Sequence, residues 1–252
     1  MDINELEKID TTVISDLIVS RLPLPLQTSQ KENLLSPKPQ ALQDVIADIE
    51  KIEHEWKLDT ADEGHTYGRK HAGETIQLWS VPPKSAQVLE NLVVLTGAKT
   101  ILEIGTSAGY AALFLAHGAK ANGGHVYTIE LLKEKADLAR GNFDKSGLDN
   151  ITLIEDEASK VLSAWDNGKI DFVFLDADKE NYGKYFDQLV PLMNISGLIV
   201  ADNVNDYGHM MEDYLQKVSG THLPKTRTDH RVKSYYLAML ENGLMVTQKI
   251  SE

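Results

Sequence analysis

Residues Phe172–Lys179 read FVFLDADK, and about two dozen residues later Leu198–Asn203 read LIVADN. Each is a short apolar run of strand character that ends in a burst of oxygen-bearing side chains. Strands buried in a parallel sheet bring their carboxyl ends to one edge, where ligands bind. Asp176, Asp178, Asp202 and Asn203 are then expected to stand together at the mouth of neighbouring strands. Carboxylates and an amide carbonyl are hard oxygen donors, suited to Mg²⁺, Mn²⁺ or Ca²⁺ rather than to a soft metal. Taken singly, an acidic residue after a strand is more often a turn former or a helix cap. Two such motifs in one chain reverse that preference.

Outward from these motifs the pattern is regular. Strands are expected over 100–104, 125–129, 151–154, 172–175 and 198–201, with helices near 109–117, 131–146, 158–164 and 181–192. Such alternation predicts βαβ units and an α/β fold with a doubly wound, mostly parallel sheet. A helix opened by Pro82 and Pro83 and closed by Gly97 leads into it. Residues 235–240 and 244–249, around Glu241-Asn242-Gly243, predict an antiparallel C-terminal hairpin on an Asn-Gly turn.

Upstream, Leu42, Val45, Ile46, Ile49, Ile52 and Trp56 fall at helical spacing, which predicts a helix packed on the main domain or on a second subunit. A short amphipathic helix is expected around Val13, Leu17 and Ile18, ended by Leu22-Pro23-Leu24-Pro25. The stretch 57–80, with Gly64, Gly68, Gly73, His65, His71 and Trp79, reads equally as a lid and as an ordinary connector. The division expected is an N-terminal helical extension with a lid-like loop over 1–80 and the main domain over 81–252, in one compact unit.

Composition narrows the function. The formal net charge of −13 argues against a nucleic-acid phosphate backbone as partner. The absence of cysteine excludes disulfides, thiolate metal sites and cysteine nucleophiles. The acidic start MDINELEKID lacks the pattern of a signal peptide, and no apolar run has the length of a membrane span. A cytoplasmic protein acting on a small molecule, with no membrane partner, is the expectation.

The stretch Ile101–Tyr110, ILEIGTSAGY, is a strand, a glycine-containing turn and a helix start. Gly105 lets a ligand approach the backbone, and Gly109 permits a tight entry into the helix. A dinucleotide fingerprint would need a glycine at position 107, which is Ser107, and Glu103 just before the turn would repel a pyrophosphate while attracting a cationic amino-acid group. At the end of the next strand Glu130 is placed to accept hydrogen bonds from ribose hydroxyls. Glu103, Gly105, Gly109 and Glu130 together describe a nucleoside carrying a positively charged amino acid, S-adenosylmethionine.

With these motifs in place the sequence resembles the cation-dependent class I O-methyltransferases, the group that holds catechol and caffeoyl-coenzyme A O-methyltransferases and their bacterial relatives. The resemblance covers about residues 75–250 and rests on LEIGTSAGYAALFLA, VYTIE, EDEAS, FLDADKENYGKYFDQLVPL and GLIVADNV in the family's order. It implies a Rossmann-like class I methyltransferase fold, and a homodimer. It makes Asp176, Asp202 and Asn203 ligands of Mg²⁺ or another divalent cation such as Mn²⁺ or Ca²⁺, with Lys179 as general base. It gives Glu103, Gly105, Glu130 and Ala158 as S-adenosylmethionine contacts, joined by Ser107, Gly109 and Ser159, with Asp178 near cofactor and substrate. The acceptor implied is a small aromatic with adjacent hydroxyls. A phenol with a pKa near ~10 is a poor nucleophile at neutral pH, and chelation of a vicinal diol by the cation would activate it.

The sequence also departs from the family. Ala111 stands where a small hydroxyl residue is common, and Val204–His209 differs from the plant enzymes' substrate loop. The acidic substrate ligand of the animal catechol enzymes has only Asp229 as a candidate, and the insertion 222–232 has no family reading. Three other readings stay open: a macromolecular acceptor, disfavoured by the acidic charge; a nicotinamide-dependent oxidoreductase, disfavoured by the missing G-x-G-x-x-G; and a non-catalytic module, disfavoured by the intact metal and lysine positions.

Overall fold

The computed structural model describes residues 37–59, 69–71, 74–218, 229–238 and 240–252. The helix expected around Val13, and most of the 222–232 insertion, lie outside the described residues. The described chain begins with helix α1 (Gln40–Asp59), a short antiparallel pair β1 (Arg69–His71) and β2 (Glu74–Ile76), and helix α2 (Pro83–Thr96). Then strand and helix alternate: β3 (Thr100–Ile104), α3 (Tyr110–Ala121), β4 (His125–Glu130), α4 (Lys133–Ser146), β5 (Ile151–Glu155), α5 (Ala158–Ser163) and β6 (Ile170–Leu175). A 3₁₀ turn (Lys179–Asn181), α6 (Tyr182–Leu192), β7 (Met193–Ala201), α7 (Val204–Tyr207), α8 (Glu212–Val218), β8 (Val232–Leu237) and β9 (Leu244–Lys249) complete it.

Seven strands form one sheet in the order β5-β4-β3-β6-β7-β9-β8, parallel except where β9 runs antiparallel to β7 and to β8. The α/β doubly wound sheet with an antiparallel C-terminal hairpin is therefore as the sequence predicts. Side chains along the central strands point alternately to the two faces and are buried on both, building a core on each. Ile101, Phe172, Phe174 and Val200 pack with α1, α2 and α3 on one side. Leu102, Val173, Leu175 and Ile199 pack with α5, α6 and α8 on the other. A strand buried on both faces must be apolar throughout, which is why FVFL could be read from sequence. No helix among the described residues is long and apolar enough to cross a membrane.

Helix α2 starts on Pro83 and ends at Gly97 with φ 67°, the left-handed C-terminal cap that glycine adopts without strain. Helix α1 lays Leu42, Val45 and Ile49 into the same core as α3, and its Glu50 accepts a 2.5 Å hydrogen bond from Tyr110 at the start of α3. Of the two placements left open for this helix, the main domain is the one seen. Of the stretch 57–80, read as a lid or a connector, the described residues include the end of α1 at Asp59 and the β1–β2 pair, while 60–68 and 72–73 lie outside them.

Two boundaries differ from expectation. Strand β7 begins at Met193 rather than Leu198, because Met193 pairs with Ile170 before a register shift at Ser196-Gly197 lets Leu198 pair with Phe172. The C-terminal hairpin is not closed by a tight Asn-Gly turn. Its last pair is Leu237 with Leu244. Residues 240–243 instead bond to the segment after β7, where Val204 N–H donates to Gly243 O at 3.2 Å and Asn205 N–H to Asn242 O at 2.9 Å.

The docking of α1 predicts a cost on truncation. Ile49→Ala should lower unfolding free energy by about 2–5 kcal/mol, the range for emptying a buried aliphatic site, in a single transition on chemical denaturation. A change under about 0.5 kcal/mol, the range of an uncoupled surface substitution, would mean that α1 is not part of the folded core.

Candidate active site at the switch point of the sheet

The chain lays β3, β4 and β5 to one side and then returns to place β6 against the other side of β3. The crevice outside the carboxyl ends of β3 and β6 is thus the point where strand order reverses, the usual ligand site of such sheets. The strand ends are bonded in series. Gly105 N–H donates to Ile129 O at 3.0 Å, Asp176 N–H to Ile104 O at 3.0 Å, and Asp202 N–H to Leu175 O at 3.1 Å. The turns after β3, β4, β6 and β7 therefore open on one edge. Gly105, with φ 104°, is packed so tightly there that a Cβ would run into the Asp176 carbonyl. Gly109, with φ 86°, opens α3 with the ring of Phe143 filling the place of its side chain.

Glu103 is fully buried, and burial first, then the charges of Asp176 and Glu130, push its pKa up to about 8 against the lowering effect of its bond from Thr128. Thr128 Oγ1 donates to Glu103 Oε2, and Thr106 and Thr128 hydroxyls meet at 2.5 Å. Among the described residues Glu103 Oε1 has no hydrogen-bond partner. Glu130 accepts from Ser107 N–H at 2.8 Å through Oε2, and from Leu131 and Leu132 N–H at 3.0 and 2.9 Å through Oε1. A carboxylate offers about four acceptor positions, so roughly one remains for a ligand hydroxyl, not the pair expected from sequence. Ser107 itself adopts φ 49°, and its hydroxyl donates to Leu78 O, tying the turn to the segment before α2. Ala158 and Ser159, both buried, open α5 after β5.

On the other side of the crevice Lys179 Nζ lies 2.6 Å from Asp176 Oδ1 and 2.8 Å from Tyr182 OH, which in turn donates to Leu175 O at 2.9 Å. Asp202 is 1% exposed; burial, and next the charge of Asp176, raise its pKa to about 7. Its Oδ2 accepts from Asn242 at 3.4 Å, while Oδ1 has no hydrogen-bond partner among the described residues. Asn203 follows with φ 66° and ψ 27°, a left-handed conformation that asparagine tolerates better than most residues. The segment is held by Asn205, whose side-chain amide donates to Leu240 O at 3.3 Å and Glu241 O at 3.0 Å and whose oxygen accepts from Tyr236 OH.

The expected residues thus divide. Glu103, Gly105, Ser107, Glu130, Asp176, Lys179, Asp202 and Asn203 line or frame the one crevice. Asp178 is turned to α6 instead, its oxygens taken by Tyr185 OH at 2.6 Å and by the Asn181 amide. Asp229 stands apart. It is clasped by Arg231 at 2.5–3.2 Å beside the start of β8, and Val232 pairs with Lys249, at the end of the sheet opposite Ala201. Sequence reasoning missed Thr128, Tyr182 and the Asn205–Asn242 latch. Tyr182 was within reach, as part of the quoted ENY motif. The latch joins segments 36 residues apart and leaves no local signal.

Solved structures with this fold include an O-methyltransferase from Bacillus cereus in complex with SAH, 25% identical with a TM-score of 0.63, covering 85% of this chain and 93% of that one. Its class is that of the class I O-methyltransferases. The profile of the O-methyltransferase family matches residues 65–250, and the chain belongs to that family. Similar curated proteins include a catechol O-methyltransferase of Niastella koreensis, 35% identical over 138 residues, which are 53% of this chain and 62% of that one. A caffeoyl-CoA O-methyltransferase of Populus kitakamiensis is 34% identical over 134 residues, 51% of this chain and 57% of that one. The chain spans between half and two thirds of the length of these curated relatives.

The tight contact at the switch point is testable against a matched control. Gly105→Ala should cost on the order of 3 kcal/mol of stability, from backbone strain plus a backbone clash. Gly123→Ala, at φ 66° with nothing near the new methyl, should cost only about 1–2 kcal/mol. Equal costs in chemical denaturation would refute the packing of the β3 turn on Asp176.

Proposed function

We propose that this chain is an S-adenosylmethionine-dependent O-methyltransferase that acts on a hydroxyl of a small aromatic acceptor with adjacent hydroxyls, assisted by a divalent cation. The observation that carries this reading is a pair of buried carboxylate oxygens at one sheet edge, Glu103 Oε1 and Asp202 Oδ1, that have no hydrogen-bond partner among the described residues. A buried anion is costly unless a cation meets it, so the crevice asks for positive charge in two places. The relatives named catechol and caffeoyl-CoA O-methyltransferase support an acceptor of that kind.

The donor set fits both groups. Glu103 suits the ammonium of the cofactor's amino-acid portion, and its raised pKa makes it an anion most readily when that cation arrives. Glu130 keeps an acceptor position for a ribose hydroxyl, while Ala158 and Ser159 flank the far end of the crevice beyond β4. Asp178 would act from the rim, through Tyr185 rather than by direct contact. Asp176, Asp202 and Asn203 supply two carboxylates and an amide carbonyl, all hard donors suited to Mg²⁺, Mn²⁺ or Ca²⁺.

Bound S-adenosylmethionine supplies the electrophilic methyl group, and a bound divalent cation supplies Lewis acidity that lowers the pKa of an acceptor hydroxyl. The chain's own residues provide placement. Tyr182, anchored on Leu175 O, fixes Lys179 Nζ beside Asp176. From there Lys179, once freed of its proton and of its ion pair with Asp176, accepts the hydroxyl proton. Asn205 and the 240–243 loop hold Asp202 and Asn203 at the adjacent strand end, so that nucleophile and methyl group are aligned rather than brought together by chance.

Asp202→Asn should reduce methyl transfer to a catechol by roughly 10²-fold or more, since cation activation is worth several kcal/mol. Binding of S-adenosylhomocysteine, followed by calorimetry, should change little. Undiminished turnover would remove Asp202 and its cation from the reaction.

A further inference from the structure

Lys135, in the first turn of α4, is only 8% exposed, yet among the described residues its ammonium makes no hydrogen bond. Nζ lies 5.1 Å from the centroid of the Trp79 ring and feels the charges of Glu130 and, more weakly, Asp176. Neither is its partner. Glu130 is held by three backbone N–H groups, and Asp176 by Lys179. Burial accordingly draws the lysine pKa down. An ammonium on a largely buried stem, with no hydrogen-bond partner among the described residues, is a ready site for an anion.

Trp79 is equally unusual. It is 68% exposed and sits at φ 49°, a backbone region that a bulky residue rarely adopts. The strain is imposed from both sides, because Leu78 O accepts from Ser107 and Ser80 N–H donates to Glu53 at 3.1 Å. Strain held by surrounding bonds beside a ligand crevice is characteristic of functional positions. Cation–π contact alone is worth about 0.5–2 kcal/mol. It does not require the indole to be left open to solvent.

The cofactor itself presents the missing partner. Its amino-acid portion carries an ammonium and a carboxylate. The crevice answers the first with Glu103, but its other side chains, Glu130, Asp176 and Asp202, repel the second. Lys179 is committed to Asp176 and Tyr182. We propose that Lys135, beneath Trp79, binds the α-carboxylate of the cofactor's amino-acid portion, with the indole roofing that ion pair. The proposal rests on the reading of the crevice as an S-adenosylmethionine site. A carboxylate on the acceptor has the same chemistry, and the experiment separates the two sources.

The test is calorimetric binding of S-adenosylhomocysteine and of its decarboxylated analogue to the wild-type chain, Lys135→Met and Lys135→Arg, each checked for an unchanged unfolding midpoint. Lys135→Met should weaken S-adenosylhomocysteine at least about tenfold, the scale of one charge-assisted hydrogen bond, and leave the decarboxylated analogue unaffected. Lys135→Arg should restore most of the loss. Equal weakening of both ligands would overturn the proposal, because the lysine would then act on the nucleoside or on the fold. Unchanged S-adenosylhomocysteine binding, with a raised KM for 3,4-dihydroxybenzoate but not for catechol, would overturn it in favour of the acceptor's carboxylate. If the wild-type chain bound neither nucleoside, the cofactor reading would fall and this proposal with it.

Discussion

Four carboxylates, Glu103, Glu130, Asp176 and Asp202, are held at one edge of a sheet whose strand ends cannot move apart. Burial disfavours the charged forms, and the neighbouring like charges add to it, which is why Glu103 is pushed to about 8 and Asp202 to about 7. The arrangement persists because packing fixes it. Gly105 brings the β3 turn against the Asp176 backbone, and the central strands are buried on both faces. The site is thus an electrostatic strain maintained by the hydrophobic core, and it is relieved when cations enter. The sulfonium cofactor and divalent metal proposed above would both answer this one constraint.

The supports of the site come from parts of the chain that carry no chemistry. The strap Leu78–Ser80 is tied to Ser107 on one side and to α1 on the other, so the N-terminal helix braces the turn after β3. The C-terminal hairpin loop does the same for the segment after β7, through Asn205 and Asn242. Two peripheral elements therefore clamp the two halves of the crevice. Their residues act through others and set geometry rather than react.

Much of this was legible in the sequence, and for physical reasons. FVFL and LIVA read as strands buried on both faces, and the oxygen-rich residues after them as falling at one edge, so Asp176, Asp202 and Asn203 were placed at that edge before any fold was known. Gly105 and Gly109 stood out as turn glycines after a strand; the structure adds that a side chain there would meet the Asp176 carbonyl or the Phe143 ring. The illegible part was long-range. The start of β7 depends on a register shift at Ser196-Gly197, which reads locally as a turn. The Asn-Gly pair suggested a tight hairpin, but pairing with the Val204–Asn205 segment overrode that local preference. The family resemblance offered Asp229 as a candidate, yet it precedes β8, which runs in the direction of the parallel strands and so starts at the end of the sheet opposite Ala201. Lys135 gave no signal at all, since a lysine in the first turn of a helix is ordinarily solvated.

The most direct test of the central claim is methyl transfer from labelled S-adenosylmethionine to a panel of catechols, with Mg²⁺ and then with EDTA. The account predicts transfer that disappears with EDTA and returns when Mg²⁺ is restored. Binding of S-adenosylmethionine without transfer to any catechol would contradict the acceptor assignment, and transfer unaffected by EDTA would contradict the role given to Asp176, Asp202 and Asn203.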